Sequence, residues 1–315
     1  MKTNFRKHMQ VVLTLLIGAS LLGAAAPEER STHLHLQEDE QFSRTFDVGP
    51  SGSLDISNVS GDIGIQGGPG TEIRVKAEKR GDGDPSLVSI EVSQTGDRVR
   101  IETKYTKGKQ HKHMSVDFTV TVPTGTSVSA ESVSGDVHVA DVGGELEAES
   151  VSGDVTVNNA ENLLVAQSIS GEVTVESAAS LEDPEIASVS GDVQVTGLKA
   201  REVEVSSVSG DVILTYADCE RAAMESVSGD IRYSGTFAKG GRYEFESHSG
   251  DVQIFIANDI GFELTAETFS GDIESEFPLT MSGAINKREV HGVYGDGSVV
   301  IEVSTFSGSV TISRE

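Results

Sequence analysis

The sequence predicts an all-β chain folded as a parallel β-solenoid, a β-helix-like stack of repeats of about 19 residues with strand-rich caps. A Ser-Gly-Asp turn recurs at near-constant spacing, and apolar and polar residues alternate on both sides of it. No stretch carries the helical period that would be needed to cover a flat meander of hairpins, the competing fold.

The repeats are marked by Gly61, Gly135, Gly153, Gly171, Gly191, Gly210, Gly229, Gly250, Gly271 and Gly308. From Gly135 to Gly271 the steps are 18, 18, 20, 19, 19, 21 and 21 residues. Two residues after each glycine stands Ile or Val, as at Val137, Val193 and Ile231, and four after it a second apolar residue is usual, as at Val139, Val195 and Tyr233. Polar residues such as His138, Gln194 and Arg232 separate the two, which is the pattern of a strand with one buried face. A matching strand precedes each turn, carrying Leu54 and Ile56, Leu146 and Ala148, Val203 and Val205, or Tyr243 and Phe245. Each unit therefore reads as strand, Ser-Gly-Asp turn, strand, and a looser turn.

Three kinds of residue hold the predicted turn. The glycine suits a corner that needs positive φ. Asp136, Asp154, Glu172, Asp192, Asp211, Asp230, Asp251 and Asp272 follow it and bond nearby backbone. A small hydroxyl three residues before it, from Ser132 through Ser207 to Thr268, shares the parity of the buried positions and satisfies a backbone group at the bend.

Taken in order, residues 1–25 read as an export signal, with Lys2, Arg6 and Lys7 ahead of an apolar run from Val11 to Leu22 and small residues before a cleavage point near Ala26. That run is too short for a membrane span, so no integral span remains after cleavage. Residues 26–45 are polar and read as a flexible segment. Residues 46–127 form an N-terminal strand module and cap, holding the Gly61 unit and three or four antiparallel strands. Residues 128–275 form an eight-repeat solenoid, and 276–315 a C-terminal cap with a last unit around Gly308. Open strand ends invite aggregation, and the two interruptions lie where caps are needed.

Charge bounds the partners. The chain has 24 Lys and Arg against 50 Asp and Glu; loss of Lys2, Arg6 and Lys7 leaves 21 against 50, a net charge of −29. Nucleic acid is excluded as a partner of such a surface. Residues 131–275 hold 29 acids and 6 bases, whereas residues 71–112 hold 10 bases against 7 acids. Cys219 is the lone cysteine, so no internal disulfide forms.

This order of features resembles the bacterial putative-adhesin family of β-strand-repeat domains of unknown function. The resemblance rests on an exported N-terminus, an early strand module ending in Val122-Pro123-Thr124-Gly125, and serial Val-Ser-Gly-Asp-Val units, and it spans residues 46–315. It implies a β-solenoid in an envelope or secreted protein and supplies no catalytic residues.

Stacked like charges of the Asp ladder cost on the order of 1 kcal/mol per solvated pair. Calcium would relieve that cost, but one Asp per repeat supplies too few oxygens, so a turn role is preferred and no metal or cofactor is expected. The outer Glu131, Glu149, Glu225, Glu246 and Glu267 lack the basic partner of a sugar-cleaving site. His33 with His35, and His111 with His113, are spaced to share a strand face but read as solvated; His248 reads as a corner histidine in a position usually held by Val. The function expected is a non-catalytic, adhesin-like envelope or secreted scaffold, not an enzyme, whose long acidic surface binds a protein or glycan. The alternative is a carbohydrate-active β-helix lyase or hydrolase.

Overall fold

Alternating apolar residues make strands along most of the described chain, separated by turns, and the one helical element among the described residues is a short 3-10 turn at Pro85–Leu87. The computed structural model describes residues 34–36, 41–106, 114–281 and 288–315, all within one unit, Thr32–Glu315. The proposed export signal, and His33, His111 and His113, lie outside the described residues.

The N-terminal part supplies β1 (Leu34–Leu36), β2 (Gln41–Asp47), β3 (Ser53–Asn58), β4 (Ile63–Gly68), β5 (Glu72–Arg80), β6 (Val88–Thr95), β7 (Arg98–Tyr105) and β8 (Ser115–Pro123). Paired short strands follow: β9 (Ser127–Ser132) and β10 (Val137–Ala140), β11 (Glu145–Ser150) and β12 (Val155–Asn158), β13 (Asn162–Ser168) and β14 (Val173–Glu176), β15 (Glu185–Ser188) and β16 (Val193–Thr196). Longer elements come next: β17 (Lys199–Ser207), β18 (Val212–Ser228), β19 (Ile231–Ser249), β20 (Val252–Ile256), β21 (Phe262–Ser270) and β22 (Ile273–Ser275). The chain ends with β23 (Thr280–Met281), β24 (Glu289–Tyr294), β25 (Val299–Ser307) and β26 (Val310–Arg314).

These strands stack in a solenoid-like arrangement with two parallel ladders. Before the Ser-Gly-Asp corner, β3, β9, β11, β13, β15, β17 and the second half of β18 pair in succession. After the corner, β4, β10, β12, β14, β16 and the first half of β18 do the same. The register places Val137 between Ile63 and Val155, and Val173 between Val155 and Val193. Like residues thus stack on like, and the inward positions of both ladders form one core running from Phe42 to Ile312. Burying each such Val or Ile contributes roughly 1.5–3 kcal/mol.

The rungs differ in size. Where the small rungs carry Ala148 or Ala166, the larger ones carry Tyr233, Phe237, Tyr243 and Phe245, with ring centroids 4.2–5.8 Å apart. The polar tip of Tyr243 stays satisfied: its hydroxyl donates to the Cys219 carbonyl at 2.6 Å and accepts from the Ala238 N–H at 2.9 Å.

Three expectations are corrected. The polar segment 26–45 holds strands where it is described: β1 pairs antiparallel with β6, and β2 with β5. In β2 only Phe42, buried, and Phe46, partly buried against the core, are apolar among polar residues, so little apolar alternation marks it. The cap strands are not purely antiparallel, because β7 and β8 lie parallel to β3 and β4 before β6 and β5 turn antiparallel outside them. The largest difference is the order at the C-terminal end. Residues 131–275 do not form one uninterrupted array; β25 lies between β19 and β21, and β26 between β20 and β22. The reason is that β24 folds back antiparallel onto the outer edge of β21. The last unit can then pair only with the inner edge.

Candidate interaction surface

The Ser-Gly-Asp corners form one line along the stack, in the order Gly61, Gly135, Gly153, Gly171, Gly191, Gly210, Gly229, Gly250, Gly308 and Gly271. At each of these after Gly61, an added Cβ would fall far inside contact distance of the carbonyl oxygen of the glycine before it in the stack. Among these corner glycines, positive φ occurs only at Gly61 (+105°) and Gly135 (+152°). The positive-φ reading of the other corners, Gly210 included, is therefore corrected: glycine is required there because the neighbouring backbone passes through the space a side chain would fill.

The hydroxyls use the same contact. Ser150, Ser168, Ser188 and Ser207 donate to the carbonyl oxygens of Gly135, Gly153, Gly171 and Gly191 at 2.8–3.0 Å. Ser226 and Ser247 bond Gly210 and Gly229 at 3.1 and 3.3 Å. Thr305 reaches Gly250 at 3.3 Å and Thr268 reaches Gly308 at 2.9 Å, following the stacking order and not the chain order. Ser132 is the exception. Its would-be acceptor, Gly61 O, is taken by Asn58 Nδ2 at 2.8 Å, and the buried Ser132 hydroxyl has no partner.

The carboxylates also bond between rungs, where a bond within the turn was expected. Asp62, Asp136, Asp154, Asp192, Asp211 and Asp230 each accept, through Oδ1, the backbone N–H of the next acidic residue in the stack at 2.8–3.0 Å. Asp251 accepts from Ser309 N at 2.8 Å, and Asp272 N meets the Ser309 hydroxyl at 3.5 Å. Glu172 breaks the series; one methylene longer, it accepts from its own neighbour Thr174 at 3.3 Å.

Residues 51–313 match the family described as Toastrack DUF4097. The chain belongs to the Toastrack family. No curated protein matches it significantly in sequence. It is similar in structure to a "putative adhesin" of Bacteroides fragilis, with 15% identity and a TM-score of 0.41, over 89% of this chain and 99% of that one. A "putative adhesin" of Parabacteroides distasonis is similar at 14% identity and a TM-score of 0.42, over 89% and 98%. A "putative lipid binding protein" of the same organism is similar at 9% identity and a TM-score of 0.38, over 88% and 97%.

In this Toastrack chain, the residue two before each corner glycine points outward, flanked by two serines or threonines except at Val59, which follows Asn58. Stacking builds from these residues a ridge of Val59, Val133, Val151, Ile169, Val189, Val208, Val227, His248, Phe306 and Phe269. Val133 keeps 49% of its surface exposed, Phe306 50% and Phe269 65%. The ridge ends in a stack of rings: His248 lies 5.0 Å from Phe306, and Phe306 4.8 Å from Phe269, with the ring planes nearly parallel. His248 is thus part of the ridge. The two phenylalanines escaped notice in the sequence, although aligning the units on glycine puts them in the Val column.

Acid flanks the ridge on both sides, the Asp ladder on one and the outer Glu positions on the other. Glu131 and Glu149 sit directly side by side on neighbouring strands. Burial, and then the charges of Glu131, Glu147 and Glu185, push the Glu149 carboxyl up to about 7. Arg98, Arg201, Arg221 and Arg242 pair with Asp55, Asp183, Glu202 and Glu302, all away from these corners. Cys219 is buried and its thiol is pushed up to about 11, mainly by that burial, so it is a poor nucleophile.

Proposed function

We propose that this Toastrack chain is an exported, non-catalytic, adhesin-like scaffold: a parallel β-solenoid of about 19-residue repeats with Gly61–Asp62 and its counterparts as structural turns. It presents the corner ridge and its acidic flanks to an envelope protein or glycan. The observation that carries this reading is the ridge itself, an outward line over ten corners, apolar at nine of them with His248 at the tenth, and ending in exposed Phe306 and Phe269. Contiguous exposed apolar surface rimmed by polar groups suits an interaction site. Many equivalent weak contacts suit avidity toward an extended partner. The acidic flanks favour basic protein patches or neutral glycans over anionic polymers.

The test uses the chain lacking residues 1–25 as bait on envelope extract, beside the double variant Phe269→Ser, Phe306→Ser. Capture by the parent and loss of capture by the folded variant supports the reading. Equal capture by both would remove the ridge from it. Turnover of a polysaccharide by the purified protein, lost on a single carboxylate substitution, would overturn the non-catalytic reading in favour of the carbohydrate-active alternative.

A further inference from the structure

Repeated chemistry dominates the surface, so a constellation that occurs once stands out. The fold-back strand β24 creates one on the outer face of β21. Antiparallel register sets Glu267 directly opposite Glu289 and Thr265 opposite His291. Glu289 and His291 are two residues apart and share a face. One ligand atom from each of Glu267, Glu289 and His291 lies within 4.8 Å of the other two.

Two carboxylates facing each other across a strand pair repel. Among the described residues, neither has a Lys or Arg ion-pair partner; His291 Nε2 is 3.1 Å from Glu289 Oε1, an ion pair only when the ring is protonated. The other ring nitrogen, Nδ1, lies 3.3 Å from Thr265 Oγ1, a residue outside the trio. In the tautomer that donates from Nδ1 to Thr265, Nε2 has its lone pair free for a cation placed between it and the carboxylates. That is the arrangement in which a histidine binds a metal, its second nitrogen oriented by a neighbour. The Thr268 N–H bonds the Arg288 carbonyl at 2.9 Å, so strand pairing continues past the trio and holds it in place.

We propose that Glu267, Glu289 and His291 bind a borderline divalent cation of the zinc type. One nitrogen and two oxygens suit such an ion, whereas calcium prefers six or more oxygens. Donors about 2.0–2.2 Å from zinc stand about 3.3 Å from one another in a tetrahedron. The His291–Glu289 separation already has that size, and Glu267, exposed and free of other polar partners among the described residues, closes the remainder by rotation of its side chain. The cation neutralises the facing carboxylates, ties β24 to β21 where the stack ends, and keeps a position open to water or to a partner's side chain. This site shares Glu267 with the outer acidic flank but uses none of the ridge residues themselves, so its failure leaves the ridge reading untouched.

The experiment is calorimetric titration of Zn²⁺ into the untagged chain, with Ca²⁺ in parallel and thermal melting as a second readout. One saturable Zn²⁺ site is expected, weakened at least about tenfold in Glu267→Gln and lost in His291→Ala. Thr265→Val, which removes only the group orienting the ring, weakens it by roughly tenfold. All three residues are at least partly exposed, so the variants should melt like the parent without metal. Zn²⁺ binding unchanged in His291→Ala, saturable Ca²⁺ binding in preference to Zn²⁺, or no saturable Zn²⁺ binding by the parent would each overturn the assignment.

Discussion

Each rung turns twice, and the two corners obey different rules. At the Ser-Gly-Asp corner the rung touches its neighbour's backbone, and glycine, hydroxyl and carboxylate recur almost without change. At the opposite corner the chain passes through Asp141, Asn159, Ser177, Gly197 and Tyr216, all with φ between +53° and +72°. Five residue types satisfy the same local conformation there. An added Cβ at Gly197 would come no nearer than 3.7 Å to anything. Repetition is therefore strict where one rung meets the next at close range, and loose where the demand is only on one residue's own dihedrals.

Alanine at the two kinds of corner gives the largest contrast. Gly210→Ala drives a methyl group into the Gly191 carbonyl and should destabilise by on the order of 3 kcal/mol or more. Gly197→Ala meets only the positive-φ penalty, about 1–2 kcal/mol. Chemical denaturation of both variants checks the ranking, and equal losses would erase the distinction.

That contrast also explains what could be read from residues alone. Strand alternation, as at Val137 and Val139 or Leu146 and Ala148, is local and was legible. The corner glycines were legible as positions, but their cause lies in a carbonyl about a rung away, and local rules suggested positive φ in its place. The insertion of the Gly308 unit between those of Gly250 and Gly271 was hidden, because stacking order need not follow chain order. Glu267, Glu289 and His291 were hidden for a related reason: they meet only because β24 folds back. Phe269 and Phe306 stand in the aligned Val column but were not singled out there, and only the stack shows their rings in contact.

The hydroxyl ladder offers an internal control. Ser207→Ala removes the donor to the Gly191 carbonyl and should cost about 1 kcal/mol in thermal or chemical unfolding. Ser132→Ala removes a hydroxyl with no partner and should be neutral or slightly stabilising. A comparable loss at both sites would mean that the ladder adds nothing.

The acidic flank has a pH signature of smaller size. The Glu149 carboxyl is raised to about 7 in the folded chain, well above its ordinary value, so folding favours its protonated form. Its contribution is fully present below the usual carboxylate range and is lost as pH rises through about 7. Glu149→Gln should therefore match the parent near pH 4 and exceed it at pH 8 in melting temperature, whereas parallel pH profiles would contradict this account. The smallest effect belongs to the tolerant corner. Tyr216 is 69% exposed and holds φ +54°, so Tyr216→Asn should stabilise by up to about 1 kcal/mol in the same unfolding assay.

The central claim is that carboxylates and hydroxyls at the Ser-Gly-Asp corner clamp one rung to the next. Glu172 tests it, because it is the one acidic residue in the middle of the ladder whose side chain does not reach the following N–H. Residue-resolved amide hydrogen exchange should show the Asp192 N–H exchanging roughly five- to tenfold faster than the Asp154, Asp211 and Asp230 N–H groups, with Glu172→Asp restoring its protection. Equal protection at all four amides in the parent chain would contradict the clamp.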